Sequence, residues 1–292
     1  IAPAPITVTT GAVSKTYDRT TGTAGAITAP SLQLVSGTLF VNDGTSAQDA
    51  LSGGAFTYTN ANVGSGKTVN VSGASVVSAG TSVTNNYSIS YQANTASVIT
   101  AAPVTISGLS ANNKVYDTTV TASLSGTATI SGLLTGDTAT LSGTATAGTF
   151  ASSNVANGIA VTANLSNLAL SNSNYAIVGV TTPLSANITP APVTISGLSA
   201  NNKVYDTTVT ASLSGTATIS GLLTGDTATL SGTATAGTFA SSNVANGIAV
   251  TANLSNLALS NSNYAIVGVT TPLSANITPA PVTISGLSAN NK

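Results

Sequence analysis

The stretch NNKVYDTTVTASLSG at residues 112–126 returns letter for letter at residues 201–215. A looser copy, SKTYDRTTGTAG, lies at residues 14–25. The longer segment that contains the first copy begins at Ala102, and an identical segment begins 89 positions later at Ala191. A period of this length exceeds the ~20–50 residues of solenoid repeats and is typical of small independent domains. The internal repeat is therefore the strongest signal in the chain.

The repeat predicts the domain organisation. We expect a diverged module at residues 1–101, a module at 102–190, an identical module at 191–279 and the start of a further, incomplete repeat at 280–292. The junctions carry Pro-Ala-Pro segments in place of Gly/Ser linkers, and proline restricts φ and favours extended backbone. We therefore expect stiff junctions around five prolines: Pro103, Pro190, Pro192, Pro279 and Pro281.

The composition favours strands over helices. The chain has 292 residues with no Glu and only six Lys and Arg, and it is rich in Thr, Ser, Val, Ala, Gly and Asn. β-branched residues suit a pleated surface, and Ser and Asn compete with helical hydrogen bonding. Short alternating segments separated by Gly-containing turns predict roughly eight or nine strands in each repeat. We expect an all-β fold of tandem Ig-like β-sandwich modules in an extended rod, with β-grasp-like or partly open barrel modules as the alternative.

The missing residue types exclude several chemistries. The chain contains no His, Cys, Met or Trp, and only 4% of its residues are charged, against about 25% in ordinary soluble domains. Without His or Cys there is no Ser-His-Asp triad, thiolate nucleophile or thiolate zinc site, so we predict no enzyme activity, cofactor or metal. The few scattered cations give no footprint for nucleic acid, and no apolar run approaches the ~18–20 residues of a membrane helix.

The repeated motifs resemble a known family. The sequence NKVYDTT, followed by Thr-Gly-Asp, Gly-Thr-Phe-Ala, a late Asn-Tyr and a terminal Ile-Thr-Pro, is similar to the YDG-type repeat of large secreted bacterial adhesins, the filamentous-haemagglutinin-like exoproteins. The resemblance covers all three modules and implies a structural role at the cell surface, without a catalytic site. The family usually has Gly after Tyr-Asp, whereas this chain has Arg19, Thr118 and Thr207, so we expect ordinary backbone angles at this turn.

The charged residues of the repeated motif are the candidate site residues. Alternation along a strand places Lys114 and Tyr116 on one face and Asp117 on the other. We predict a structural role, in which the tyrosine anchors the edge of the core with its hydroxyl bonded to backbone and the aspartate caps a turn by accepting the N–H of Thr119. The same roles are predicted for the other two copies of the motif: Lys15, Tyr17 and Asp18, and Lys203, Tyr205 and Asp206.

Two sharper alternatives apply to these charged residues. One is an isopeptide bond from Lys114 to an Asn or Asp, with Asp117 or Asp137 as the assisting acid. The other concerns Asp137 and its copy Asp226, which follow Thr-Gly and are predicted as turn residues. The alternative for Asp137 is a calcium ligand at a module junction, although calcium requires six to eight oxygen ligands, usually from several carboxylates.

The leading hypothesis for function is a stalk or spacer of an extracellular bacterial adhesin or surface fibre, which supports adhesion or biofilm formation. Its partners would be the neighbouring modules, with other copies of the chain or surface glycans as further candidates. One alternative is a repeated carbohydrate-binding module, for which the first repeat offers Tyr58, Tyr87 and Tyr91. The other is a self-assembling filament subunit in which residues 280–292 pair as a strand with another chain.

Overall fold

The computed structural model of the chain describes residues 1–42, 44 and 46–287. These residues form strands and a single 3₁₀ turn, Thr84–Asn86, without an α-helix, so the predicted all-β class is confirmed. No helix in the described part of the chain is long and apolar enough to cross a membrane. The last five residues of the predicted incomplete repeat, 288–292, lie outside the described residues.

The strands are numbered in chain order. Residues 1–101 contain β1 (Ala4–Thr10), β2 (Ser14–Thr16), β3 (Leu32–Ser36), β4 (Val41–Asn42), β5 (Ala47–Gln48), β6 (Ala50–Tyr58), β7 (Gly64–Ser78), β8 (Thr81–Ser82), β9 (Tyr87–Tyr91) and β10 (Asn94–Thr100). Residues 102–190 contain β11 (Ala102–Ala111), β12 (Lys114–Val115), β13 (Thr121–Ser131), β14 (Leu141–Ser142), β15 (Ala147–Phe150), β16 (Ala156–Ala163), β17 (Ala169–Leu170), β18 (Tyr175–Val180) and β19 (Leu184–Thr189). Residues 191–279 contain β20 (Ala191–Ala200), β21 (Lys203–Val204), β22 (Thr210–Ser220), β23 (Leu230–Ser231), β24 (Ala236–Phe239), β25 (Ala245–Ala252), β26 (Ala258–Leu259), β27 (Tyr264–Val269) and β28 (Leu273–Thr278).

The chain forms two compact units whose limits differ from the sequence repeats. Unit 1 comprises Ile1–Leu109, Gly126–Thr146 and Ala163–Thr182. Unit 2 comprises Ser110–Ser125, Ala147–Thr162 and Pro183–Lys292. The second repeat therefore contributes strands to both units, whereas the first and third repeats each lie within one unit.

The third repeat forms a seven-stranded sheet in the order β21-β28-β25-β24-β22-β20-β27. The inner neighbours pair antiparallel, whereas the two edge pairs, β20–β27 and β21–β28, are parallel. The short strands β23 and β26 pair separately. Because β21 is Lys203–Val204, the repeated motif lies at one edge of the sheet, beside the last strand of its own repeat.

Alternating side chains build the core of this sheet. In β20, Ala191, Val193 and Ile195 are buried while Pro192 between them is exposed. Removal of apolar surface from water is the main stabilising contribution, at about 25 cal/mol per Å². The core contains one aromatic residue among small and branched side chains: Ile195, Leu198, Ala211, Leu213, Ala234, Phe239, Val250, Leu257, Leu273, Ala275 and Ile277.

In unit 1 the first repeat forms two larger sheets, with the orders β3-β1-β9 and β2-β10-β7-β6, and a separate pair β4-β5; β8 pairs with β7. The parallel pairs β1–β9 and β2–β10 correspond to the two parallel edge pairs of the third repeat. One core cluster joins Val13 and Tyr58 of the first repeat to Val104 and Tyr175 of the second. The hydrophobic core of unit 1 therefore continues across a repeat boundary.

The predicted proline positions lie at or beside strand ends. Pro190 is the one-residue connection between β19 and β20, and Ala101 occupies the same place between β10 and β11. Pro103 and Pro192 are the second residues of the strands that open their repeats. Two further prolines follow the last strand outside any regular element: Pro279 and Pro281.

Gly197 and Gly215 allow β20 and β22 to approach each other closely. Gly197 has a φ of +81°, and a Cβ placed on it would lie 2.2 Å from the carbonyl oxygen of Thr216. Gly247 has a similar φ of +65°, but a Cβ there would meet nothing within 4 Å. A comparison of Gly197 with Gly247 therefore separates the effect of a steric clash from the effect of left-handed backbone strain.

We expect Gly197→Ala to destabilise unit 2 by at least about 2–3 kcal/mol, because clash adds to strain. Gly247→Ala should cost about 1–2 kcal/mol, since only the left-handed backbone opposes it. Denaturant unfolding followed by circular dichroism measures both variants against the parent chain. Equal losses in the two variants would contradict the proposed close approach.

Candidate functional site at the repeat junctions

The repeated Lys-x-Tyr-Asp motif forms a closed turn. Lys114 Nζ donates hydrogen bonds to Asp117 Oδ1 and to the carbonyl oxygen of Thr119, each at 2.6 Å. The same Asp117 oxygen accepts the backbone N–H and the hydroxyl of Thr119, each at 2.9 Å. The ammonium also lies 5.6 Å from the ring centre of Phe150. One cation thus closes the turn and holds it against the core through a cation–π contact.

The other two copies of the motif fold in the same way, with ammonium–carboxylate distances of 2.6 Å at Lys203–Asp206 and at Lys15–Asp18. Lys15 gains a further acceptor, the carbonyl oxygen of Gly22, at 2.8 Å. Its side chain is 1% exposed, against 16% for Lys203. A buried ammonium is tolerated only when acceptors replace its hydration, and this turn supplies them.

The hydrogen bonds of Lys114 can be compared with the alternative in which Lys114 forms an isopeptide bond to an Asn or Asp. Among the described residues, the Lys114 ammonium hydrogen-bonds to Asp117 and to two oxygens of Thr119, and no asparagine side chain is among these partners. Asp117 is therefore the carboxylate partner of Lys114 in an ion pair.

The residue after each motif aspartate has a left-handed backbone. The φ angle is +71° at Arg19 and +70° at both Thr118 and Thr207. The expectation of ordinary backbone angles at this turn is therefore wrong. The carboxylate of the motif aspartate accepts the backbone N–H of the residue two positions later. The turn that brings this N–H within reach uses the left-handed region even where the residue is not glycine. A residue with a Cβ pays about 1 kcal/mol for that conformation.

Tyr116 reaches out of its own repeat. Its hydroxyl donates to Asp226 Oδ2 of the third repeat at 2.9 Å, and the hydroxyl of Tyr264 donates to the same oxygen at 2.6 Å. The two rings meet edge to face, with centres 5.5 Å apart and planes at 78°. The sequence predicts a backbone acceptor for Tyr116, whereas the acceptor in the structure is this carboxylate. We call the arrangement the Tyr–Asp–Tyr lock, in which one aspartate binds a tyrosine from each of two successive repeats.

A second lock joins the first two repeats inside unit 1. Tyr17 and Tyr175 donate to Asp137 Oδ2 at 2.9 and 2.7 Å, and their rings meet at 5.5 Å and 77°. Arg19 Nε lies 3.0 Å from Asp137 Oδ1, and the Arg19 guanidinium also donates to the carbonyl oxygen of Thr135. Both oxygens of Asp137 thus have protein donors. The part of the chain that the structure describes contains no group of three or more His, Cys, Asp or Glu placed to hold a metal.

The asparagine before the second tyrosine adds a further contact at each junction. Asn263 Oδ1 accepts the N–H of Val155 at 2.8 Å, and the Asn263 amide donates to Asn154 Oδ1 at 3.1 Å. Distances of 2.9 and 3.2 Å define the same two bonds at the other junction, between Asn174, Val63 and Asn62. The Asn-Tyr dipeptide is visible in the sequence, but nothing in its spacing indicates a partner in the preceding repeat.

The locks raise the pKa values of their tyrosines, and the lock around Asp137 lowers the pKa of that aspartate. Burial raises the pKa of the Tyr116 hydroxyl, and the bond to Asp226 raises it further. The pKa of Tyr17 rises for the same two reasons, with Asp137 as the carboxylate. The hydrogen bond from Tyr175 lowers the pKa of Asp137, and the hydrogen bond from Tyr17 and the positive charge of Arg19 lower it further. In the turn of the third repeat, the bond from Lys203 lowers the pKa of Asp206 to about 2.

The first repeat contains the acceptor half of a lock. Tyr87 donates to Asp49 Oδ2 at 2.7 Å and accepts the N–H of Phe40 at 3.0 Å. In the third repeat Tyr264 likewise donates to Asp226 and accepts the N–H of Leu223. Sequence reasoning missed this role of Asp49 because a longer stretch of sequence from Phe40 to Asp49 replaces the Thr-Gly-Asp turn. A usable signal was present, since aspartate and tyrosine are 38 residues apart in all three repeats.

The tyrosines suggested for sugar binding in the first repeat are mostly internal. Tyr58 is 1% exposed and donates to the carbonyl oxygen of Val13 at 2.8 Å. Tyr87 is 7% exposed and belongs to the half-lock. Tyr91 is 41% exposed, and its hydroxyl accepts the N–H of Ala74. Two of the three rings therefore have no face available for stacking on a sugar.

These observations define a tandem all-β repeat protein in which successive repeats share a tyrosine–aspartate site. A family model described as YDG domain matches residues 2–96, 100–183 and 189–272. The chain belongs to the YDG domain family, and the resemblance of its repeats to the YDG-type repeat is confirmed. A search of curated proteins found no match.

Thr118→Gly and Thr207→Gly should each stabilise the protein by up to about 1 kcal/mol, because glycine enters the left-handed region without the Cβ penalty. Thr121→Gly is the matched control, since Thr121 is an exposed residue of β13 and glycine weakens an extended strand. Thermal and denaturant unfolding measure the three variants. Destabilisation by Thr118→Gly as large as that by Thr121→Gly would contradict strain at this turn.

The shifted pKa values in the locks and in the motif turns predict how stability depends on pH. Aspartates with a folded pKa below 3.8, such as Asp137 and Asp206, contribute stability above pH 3.8 that is lost as pH falls toward the folded pKa. Tyrosines with a folded pKa above 10.0, such as Tyr17 and Tyr116, contribute stability below pH 10.0 that is lost as pH rises through the folded pKa. We expect a flat maximum between these limits and a decline on both sides.

The alkaline decline is testable with phenylalanine variants. The double variant Tyr17→Phe, Tyr116→Phe should be less stable at neutral pH by about 1–3 kcal/mol for each bond, and its alkaline decline should be shallower. Tyr205→Phe is the control, because no hydrogen bond of the Tyr205 hydroxyl is found among the described residues. An unchanged alkaline decline in the double variant would show that the locks do not produce it.

Proposed function

We propose that this chain is part of a stalk or spacer in an extracellular bacterial adhesin or surface fibre. The observation that carries the proposal is the occurrence of the same Tyr–Asp–Tyr lock at both repeat junctions, together with connections of one residue. Such junctions suit an array that must transmit position and force from one repeat to the next. In this role the protein would be secreted, displayed at the cell surface and used in adhesion or biofilm formation.

The exact duplication of the second and third repeats supports the same proposal. A spacer gains length from every added copy, whereas a catalytic domain gains little from a copy beside itself. The lock explains how a repeat of 89 residues joins an identical neighbour. Each repeat carries a donor tyrosine in its Lys-x-Tyr-Asp motif and an aspartate with a second tyrosine, so one sequence supplies both partners.

A reach assay tests the spacer function. The 292-residue chain is placed between a bead surface and a domain with a known ligand, and capture of the ligand is measured across polymer brushes of increasing thickness. The control is a Gly/Ser linker of equal residue count, whose mean span grows only with about the square root of its length. We expect capture across brushes that defeat the flexible linker. Equal reach for the two would contradict the spacer function.

The surface location is tested in the native host. Antibodies against the third repeat should label intact cells, and external protease should remove the label. Label that appears only after lysis would contradict display at the cell surface.

The double variant Tyr17→Ala, Tyr116→Ala in the reach assay tests whether the locks maintain the span of the array. It should capture less ligand than the parent chain.

A further inference from the structure

The chain contains two Asn-Gly pairs, Asn157-Gly158 in the second repeat and Asn246-Gly247 in the third. In such a pair the asparagine side chain can react with the next backbone nitrogen, because glycine has no Cβ to obstruct the approach. Both pairs are exposed and lie at the start of a strand, β16 or β25. Among the described residues the Asn157 side chain has no hydrogen-bond partner, so its amide group is free to turn toward the backbone.

The Asn157-Gly158 pair forms a β-bulge. The register between β16 and β19 shifts at this point, so that Asn157 and Gly158 lie opposite the single residue Asn187. Gly158 has a φ of +65°, in the left-handed region that glycine enters without strain. The N–H of Gly158 donates to the side-chain oxygen Oδ1 of Asn187 at 2.8 Å. A side chain of the partner strand therefore holds the nitrogen that would attack Asn157.

Asn187 is itself held in place. Its backbone N–H donates to Asn113 Oδ1 at 2.7 Å. Its neighbours in β19, Ala186 and Ile188, are 5% and 1% exposed, so the strand is anchored on the core at both sides of the asparagine. The third repeat has the same two bonds, from the N–H of Asn276 to Asn202 at 2.7 Å and from the N–H of Gly247 to Asn276 at 2.8 Å.

The first repeat has the same bulge without either asparagine. Gly66 has a φ of +63°, and Ser65 and Gly66 lie opposite Val98. Serine has no amide group to react, and valine has no side-chain acceptor. The bulge therefore forms without an acceptor side chain in the partner strand. The acceptor is found in the repeats where the residue before the glycine is asparagine.

We propose that Asn157 is a site of spontaneous deamidation and that Asn187 restrains the reaction by holding the attacking N–H. The same roles apply to their copies, Asn246 and Asn276. In the reaction the backbone nitrogen of Gly158 bonds to Cγ of Asn157 and the Cγ–Nδ2 bond breaks. The proton of the N–H leaves with the amide nitrogen as ammonia, and a succinimide ring remains. Water then opens the ring at either carbonyl and leaves an aspartyl or isoaspartyl residue at position 157.

The hydrogen bond to Asn187 opposes the first step in two ways. The nitrogen of Gly158 attacks after its proton is removed, and removal would leave a negative nitrogen facing the lone pairs of Asn187 Oδ1. The bond also fixes the plane of the peptide group and opposes rotation of the nitrogen toward Cγ of Asn157. Asn187 takes part in no bond change, so it is a positioning residue for this reaction.

Deamidation at this place would affect the contact between repeats. Val155, two residues before Asn157, donates its N–H to Asn263 of the third repeat at 2.8 Å. Deamidation adds a negative charge, and an isoaspartyl linkage adds one methylene group to the main chain of the bulged strand. The restraint therefore preserves a strand that begins beside the junction. The proposal does not rest on the spacer function, because the reaction proceeds in solution.

Ageing of the full chain with Asn187→Val is the first test, since valine is the residue of the first repeat at this position. Parent and variant are incubated at mildly alkaline pH, and mass spectrometry follows the tryptic peptides 115–203 and 204–292. These peptides are identical in the parent, and the substitution gives them different masses. We expect position 157 to convert about two- to tenfold faster than position 246 of the same molecules, the range that loss of one hydrogen bond produces. Asn276→Val should reverse this order.

Asn187→Asp is the matched control, because it keeps an oxygen acceptor at the same place. It is compared with Asn187→Val in an Asn246→Ser background, where the third repeat carries the unreactive serine of the first. We expect Asn187→Asp to convert position 157 as slowly as the background chain does.

Three outcomes would overturn the proposal. One is equal conversion at positions 157 and 246 in Asn187→Val, and another is conversion in Asn187→Asp as fast as in Asn187→Val. The third needs no variant at position 187: the folded parent should convert more slowly than the parent in denaturant, and equal rates would show that the fold gives no restraint.

Discussion

The structure depends on a carboxylate that accepts two tyrosine hydroxyls from different repeats. An aspartate next to a hydrophobic core is unfavourable unless its oxygens receive hydrogen bonds, and a buried tyrosine hydroxyl equally requires an acceptor. Asp226 meets both requirements at the second junction, where its Oδ2 accepts the hydroxyls of Tyr116 and Tyr264 together. The polar groups of one repeat are therefore satisfied by its neighbour, and the apolar rings around them are buried by the same contact. This explains why the core of unit 1 includes residues from two repeats.

The Lys-x-Tyr-Asp motif has two roles, one within its own turn and one in the contact with the next repeat. Lys114 and Asp117 hold a local turn closed, and the turn aims Tyr116 at the next repeat. The left-handed residue after Asp117 is part of this local geometry and has an unfavourable backbone, which the surrounding hydrogen bonds sustain. The charged residues of the motif therefore serve to build the junction between repeats. The lysine and aspartate of the motif neutralise each other in an ion pair.

The sequence was sufficient for the all-β class, the 89-residue period and the location of the important motif, because these follow from residue types and exact repetition. It was insufficient for the partner of Tyr116, since a hydroxyl donor in a strand gives no indication of which of many distant acceptors it meets. Local reasoning also failed at Thr118, where the absence of glycine suggests an ordinary φ but hydrogen bonds to Asp117 override the preference. The role of Asp49 as an acceptor for Tyr87 was missed because a longer segment replaces the Thr-Gly-Asp turn, although its 38-residue spacing to Tyr87 is the same as in the other repeats.

The identity of residues 102–190 and 191–279 has a consequence for how such a protein changes over generations. Gain or loss of one whole repeat of 89 residues would leave the remaining repeats unchanged. Because every repeat supplies a donor tyrosine at one end and an acceptor aspartate at the other, the joint created by such an event has the same chemistry as the joints it replaces. The number of repeats is therefore free to vary while each interface stays intact, and length becomes a property that selection can adjust without redesigning the fold.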